Sequence, residues 1–171
     1  LLEALKNAPK NLDLCLSFSV QEEIGLRGAK VAAFAFQPHF AIAIDATPAY
    51  DLPVFDDSEN TFYNTRLGAG PAIYTYDAGT LNDPRLVRFL SRVAAQNRIP
   101  CQLRQPGGGG TDAGAIHRAG AGVPTVSLSV PHRYSHTAIS LMRLDDWKNS
   151  QALLLAALRE ISPAILEEER P

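Results

Sequence analysis

The run FAIAIDA, Phe40 to Ala46, constrains the fold more than any other stretch. It is almost continuously apolar, rich in small and β-branched residues, and ends in a carboxylate. A run of that length and composition suits a strand buried on both faces of a sheet. Both faces can be covered only if helices lie above and below. The rest of the chain supplies them in alternation. Leu12 to Val20 (LDLCLSFSV) alternates like a strand, and Arg27 to Phe36 (RGAKVAAFAF) reads as a helix closed by Pro38. Pro71 to Asp77 is strand-like. Asn82 or Asp83 caps a helix with Pro84 in its first turn, running to about Asn97. Cys101 to Gln105 is a short strand, and a helix starts near Thr111 after four glycines. Thr125 to Val130 is a further strand, and Asp145 opens a last helix before Pro163. Leu1 to Ala8 reads as the end of another helix, and Asp51 to Gly70 as a loop. The expected architecture is α/β, a mixed, largely parallel sheet with helices on both faces.

Composition narrows the function classes. The chain has 171 residues, enough for a single domain across 1–171 with a full core. A net charge of -2 offers no basic footprint for nucleic acid and no polybasic membrane patch. No apolar run is long enough to span a bilayer. Cys15 and Cys101 lie in apolar, strand-like runs and read as two buried free thiols, which points to a reducing, cytoplasmic setting.

In open α/β sheets ligands collect beyond the carboxyl ends of strands. Glu22 and Glu23 follow the Leu12–Val20 run, and Asp45 closes the Phe40–Ala46 run. Gly107 to Asp112 follow Cys101–Gln105, and His132 and His136 follow Thr125–Val130. Carboxylates and imidazole are the ordinary ligands of catalytic zinc. A cation would also explain two adjacent glutamates, which otherwise repel. One of them could bind the ion while the other faces its water as general base. His39 and His117 read as structural or surface residues. The glycine run lacks the endings of nucleotide-binding motifs, and no nucleophile elbow is present.

Taken in order, SVQEEIGLRGAK, AIAIDATPAYDLP, RLGAGPAIYTYDAG, GGGGTDAGAIHRAGAGVPTVSLSVPHRYSH and TAISLMRLDD resemble the dinuclear metallo-aminopeptidases. That family includes glutamyl and deblocking aminopeptidases and the tetrahedral archaeal peptidases, and some members carry cellulase or endoglucanase labels. The resemblance implies a zinc-peptidase-like fold and N-terminal hydrolysis of peptides by a di-metal-bound hydroxide. It implies Glu22 as general base, Glu23 and His136 as ligands of one metal, and Asp45 as ligand of the other. Gly109, Gly110, Thr111 and Asp112 would line the substrate site. It also implies two divalent ions, zinc or cobalt, in the complete protein, peptide substrates, and self-association, since related enzymes form dodecamers.

The family's upstream His-x-Asp motif, its bridging aspartate in Asp-Asp-Arg, and the small β-domain between them find no counterpart here. The chain therefore reads as the C-terminal portion of a catalytic domain whose N-terminal part is missing. With Glu23, Asp45 and His136 as its share of the ligands, it is expected to bind no metal or one, and to be inactive alone. Two alternatives stand beside this reading: a glycoside hydrolase using a carboxylate pair, and a catalytically dead domain that binds peptides or assembles with partners.

Overall fold

The computed structural model describes residues 6, 9, 12–58, 60, 64–104 and 106–168. Its elements in chain order are α1 (Arg27–Phe36), β1 (Ala41–Pro48), β2 (Ala72–Tyr74), α2 (Pro84–Gln96) and β3 (Gln102–Arg104). Then follow α3 (Ala113–Ile116), β4 (Thr125–Arg133), β5 (Leu141–Met142), α4 (Leu144–Glu160) and a 3-10 turn over Pro163–Leu166.

The sheet order is β1-β4-β2-β3, with β5 attached to β4. The long ladder is parallel, β1 on β4 from Ala41↔Thr125 to Pro48↔His132. β2 and β3 are parallel to each other, and β2 runs antiparallel to β4. The sheet is mixed and mostly parallel, as expected.

Alternate residues of a strand face opposite sides, and β4 shows this chemically. Val126 and Leu128 join Ile73 in the apolar core with Leu86, Phe89, Leu90 and Val93 of α2 and Leu153 and Ala157 of α4. Ser127 and Ser129, equally buried, point the other way. Ser127 meets the Thr111 hydroxyl at 2.8 Å just before α3. α1 packs on α3 on that second side. Helices thus cover both faces, one interface apolar and the other polar. The cap at Asp83 forms as expected, its Oδ1 accepting from Arg85 N at 3.0 Å with Pro84 in the first turn.

Several expectations are corrected. Leu12–Val20 is not a strand. Leu12, Leu14 and Leu16 are half-buried while Asp13, Cys15 and Ser17 are exposed, so the alternation is real. A strand also needs a ladder, and no described residue pairs with this segment. The Phe40–Ala46 run is a strand but is not buried on both faces. β1 is an edge of the described sheet, and Ile44 and Ala46 are exposed. Both cysteines are free, but Cys15 is exposed and Cys101 only half-buried. The helix expected from Thr111 is the short α3. The helix at Leu1–Ala8 lies almost wholly outside the described residues. No described helix is long and apolar enough to cross a membrane.

Candidate active site

The turn that carries the two glutamates is built by close backbone approach. Leu26 N and Gly25 N both donate to the Glu22 carbonyl, at 2.9 and 3.1 Å, and Arg27 N donates to the Gln21 carbonyl. Gly28 N donates to the Val20 carbonyl at 2.9 Å, drawing the first turn of α1 onto the chain that precedes the glutamates. A methyl group on Gly28 would stand 2.5 Å from Val20 N and 2.6 Å from its oxygen. Gly28→Ala is therefore expected to destabilise the fold by about 1–3 kcal/mol, since backbone must move to admit the group. Thermal unfolding checks this, and an unchanged Tm would show that the approach is not tight.

Two segments facing this site hold non-glycine residues in the left-handed region. Gln21 (φ 60) and Leu26 (φ 55) flank the glutamates, and Tyr134 (φ 66) and His136 (φ 55) carry the histidine loop. Such backbone costs about 1 kcal/mol or more per residue and concentrates at functional sites.

The cleft between these segments is lined by Glu22, Glu23, Asp45, Tyr74, His132 and His136, and by Gly107–Gly110. β3 runs opposite to β1 and β4, yet the glycine loop after it reaches the same cleft. Ala78 N ties that loop down through the Gly109 carbonyl at 3.1 Å. His136 Nε2 lies 3.1 Å from Glu23 Oε1, both side chains largely exposed. Asp45 Oδ1 accepts from Ala46 N at 2.7 Å. Thr111 is buried, its hydroxyl engaged with Ser127 and with Ala113 N. It shapes the start of α3 rather than the cleft wall.

The electrostatics are those of crowded carboxylates. Burial raises the Glu22 pKa, and the charges of Asp45, Glu23 and Asp112 raise it further, with His136 opposing. Burial likewise raises Asp45, helped by Asp112 and Glu23 against the Ala46 amide and His136. Asp112 is raised by burial against a bond from Ser19. Burial lowers His132, as does His136; its Nε2 is paired with Ser135 Oγ. His117 Nδ1 lies 2.9 Å from the Ala113 carbonyl within its own helix turn, a structural role as expected.

This donor set fits a divalent cation in chemistry, since carboxylates that destabilise one another beside an imidazole are relieved by positive charge. It does not close into a cage by itself. Among the described residues no three His, Cys, Asp or Glu side chains form one metal-binding group. Glu23 and His136 are paired, and the charges of both also act on Asp45.

Around the site, Arg133 Nε donates to Asp51 Oδ1 at 2.8 Å, and Leu67 N donates to Asp51 Oδ2 at 2.9 Å. Burial alone would raise the Asp51 carboxyl, but these bonds outweigh it and hold the pKa below its ordinary value. They anchor the end of β4, from which the His136 loop departs. Sequence reading missed Arg104 and Tyr74, which also line the cleft. The available signal was an arginine inside a short strand, three positions before the first glycine of the run.

The sequence signature described as M42 glutamyl aminopeptidase matches residues 1–153. The chain is 36% identical over 162 residues to the glutamyl aminopeptidase of Lactococcus lactis, covering 95% of this chain and 43% of that protein. It is 38% identical over 152 residues to the lysyl aminopeptidase of Pyrococcus furiosus, covering 88% and 42%. Among solved structures, an aminopeptidase from Desulfurococcus kamchatkensis superposes with a TM-score of 0.82 at 38% identity, covering 87% of this chain and 42% of that one. A TET peptidase of Pyrococcus horikoshii, titled as assembling into a tetrahedron or a large octahedral shell, gives a TM-score of 0.71 at 33% identity, covering 84% and 40%. The chain spans less than half the length of these proteins.

Proposed function

We propose, since this chain belongs to the M42 glutamyl aminopeptidase family, that its cleft contributes to removing the N-terminal residue from peptides. The observation that carries the reading is the convergence of Glu22, Glu23, Asp45 and His136 on one cleft. Glu23 with His136 would hold one divalent cation, zinc or cobalt, and Asp45 would help hold a second. A divalent cation bound there would supply Lewis acidity, lowering the pKa of water and polarising the peptide carbonyl.

The chain's own residues do the rest. Glu22 is half-buried beside this donor set and takes a proton from the attacking water. It then returns that proton to the leaving amine, so the carboxyl ends as it began. The acidic surroundings attract the free ammonium group of a peptide terminus. Gly109 and Gly110 offer backbone, without side chains, to the peptide that lies along them, and Asp112 adds charge at the start of α3. The tetrahedral assembly named for one structural relative supports homo-oligomerisation as part of this proposal. The named relatives include both a glutamyl and a lysyl enzyme, so family membership alone leaves open which first residue is preferred.

The test uses the full-length gene product. It should release the first residue from a peptide with a free amino terminus and leave the N-acetylated peptide intact. EDTA should abolish the release, and zinc or cobalt should restore it. Cleavage of β-glucan that survives EDTA would favour the glycosidase reading instead, a label borne by one structural neighbour at 27% identity. A two-carboxylate sugar mechanism has no use for the imidazole paired with Glu23.

A further inference from the structure

The glycine loop has little of its own to hold it. Gly107 to Gly110 carry no side chains, and glycine gives up more conformational freedom on folding than any other residue. Methyl groups on Gly108 or Gly109 would meet nothing within 4 Å, so this part of the loop stands clear of packed neighbours. Among the described residues two hydrogen bonds hold it. Ala78 N donates to the Gly109 carbonyl at 3.1 Å, and Arg104 Nη2 donates to the Gly108 carbonyl at 2.7 Å.

Arg104, at the end of β3, is only 4% exposed. Its Nε donates to Thr47 Oγ1 at 3.2 Å, and its guanidinium carbon sits 4.5 Å from the centre of the Tyr74 ring, an arrangement that favours a cation. Nη1 is buried and has no acceptor. Among the described residues no carboxylate lies within ion-pair distance of Arg104. Nor is it among the charges that act on Glu22, Asp45 or Asp112. A buried guanidinium with an unmet donor and no carboxylate costs stability. What it supplies is a connection. Thr47 is fully buried in β1, two residues after Asp45 and on the same side of that strand. One side chain therefore ties the glycine loop to the strand that presents Asp45.

We infer that Arg104 is a positioning residue, holding the glycine loop in a fixed place relative to β1 so that a peptide lying along the loop is presented to Asp45 and Glu22. The inference rests on the peptidase reading above. Arg104 acts through Gly108 and not on the reacting atoms. A rigid fork suits this task, since Nε and Nη2 reach two acceptors at once. A lysine ammonium is a single point charge on a flexible stem and cannot reproduce both directions. The loop meets the peptide before any bond changes. Its displacement therefore weakens binding rather than turnover, and appears in KM.

The experiment measures kcat and KM of the full-length gene product on the best cleaved of Ala-Ala-Ala, Glu-Ala-Ala and Lys-Ala-Ala. Arg104→Lys is expected to raise KM about tenfold, with kcat and metal content nearly unchanged. Thr47 separates positioning from packing. Valine keeps the shape of threonine but offers no acceptor, and serine keeps the hydroxyl but drops a methyl group. Positioning predicts a raised KM for Thr47→Val and a KM near wild type for Thr47→Ser. A merely structural Thr47 and Arg104 predict the reverse order, and that result overturns the inference, as does an unchanged KM or a loss confined to kcat. Thr47→Val combined with Arg104→Lys should be no worse than Arg104→Lys alone, since both break one connection. Effects that multiply overturn it. If Arg104→Lys does not fold, the two Thr47 variants still decide. If no tripeptide is cleaved, the peptidase reading fails. Calorimetric titration with the same tripeptides then decides this inference: weaker binding by Thr47→Val than by Thr47→Ser supports it, and equal affinity or no binding overturns it.

Discussion

Glu22→Gln in the full-length protein should fold normally, keep its metal content and lose hydrolysis by about 10²–10⁴-fold, the usual contribution of a positioned general base. Glutamine preserves the shape of the side chain and the carbonyl oxygen but cannot take a proton. The expectation rests on the contrast between neighbours. Glu23 is largely exposed and paired with His136 at 3.1 Å, as a ligand pair would be. Glu22 is half-buried and makes no such pair among the described residues, and the charges of Asp45, Glu23 and Asp112 add to burial in raising its pKa. A base with a raised pKa is a better proton acceptor. Glu23→Gln supplies the control, since its loss should appear first as lower metal content by elemental analysis. Near-normal turnover by Glu22→Gln, with metal retained, would move the base elsewhere.

The division between these glutamates shows what a sequence carries. Adjacent carboxylates at the end of an apolar run lead to the expectation of a cation, and the fold places them in one cleft with Asp45 and His136. Asp45 is legible for the same reason, being a charge that closes a buried run. Helix positions were also legible where caps and proline mark them, as at Asp83 and Pro84. What composition cannot show is pairing. Leu12–Val20 has the alternation of a strand, but a strand partner belongs to other parts of a fold, and none of the described strands pairs with it. β1 reads as fully buried from its own side chains, yet its edge position leaves Ile44 exposed.

Long-range contacts were harder still. Nothing near Gln102–Arg104 suggests that its arginine crosses to Thr47, 57 positions earlier in sequence. The left-handed backbone at Tyr134 and His136 is equally silent, because neither residue type requires it. Those features come from the tertiary structure overriding local preference, which is where functional sites usually depart from sequence rules.

The second large effect lies away from the chemistry. Asp146→Ala should destabilise the fold by about 3–5 kcal/mol, from two charge-assisted bonds lost and two amides left without partners. Asp146 is 1% exposed in the first turn of α4. Its two oxygens accept from Gly68 N at 2.7 Å and Gly70 N at 2.9 Å. A carboxylate there also complements the positive end of the helix. The chain it holds cannot easily find another path. Gly70 has φ +85, and a methyl group on it would stand 2.1 Å from the Pro100 carbonyl oxygen. Nearby, the Thr65 hydroxyl donates to the Pro48 carbonyl, and Gln102 bonds Arg66 and the Gly70 carbonyl. Leu67 N meets Asp51, which in turn holds Arg133 at the end of β4. Losing Asp146 therefore loosens the support of the loop that presents His136. Denaturant unfolding should show a lower midpoint with an unchanged slope. Asp146→Asn should fall between wild type and Asp146→Ala, because one acceptor oxygen survives. A loss below about 1 kcal/mol for Asp146→Ala would mean that water satisfies the glycine amides, a cost no larger than that of an ordinary exposed hydrogen bond.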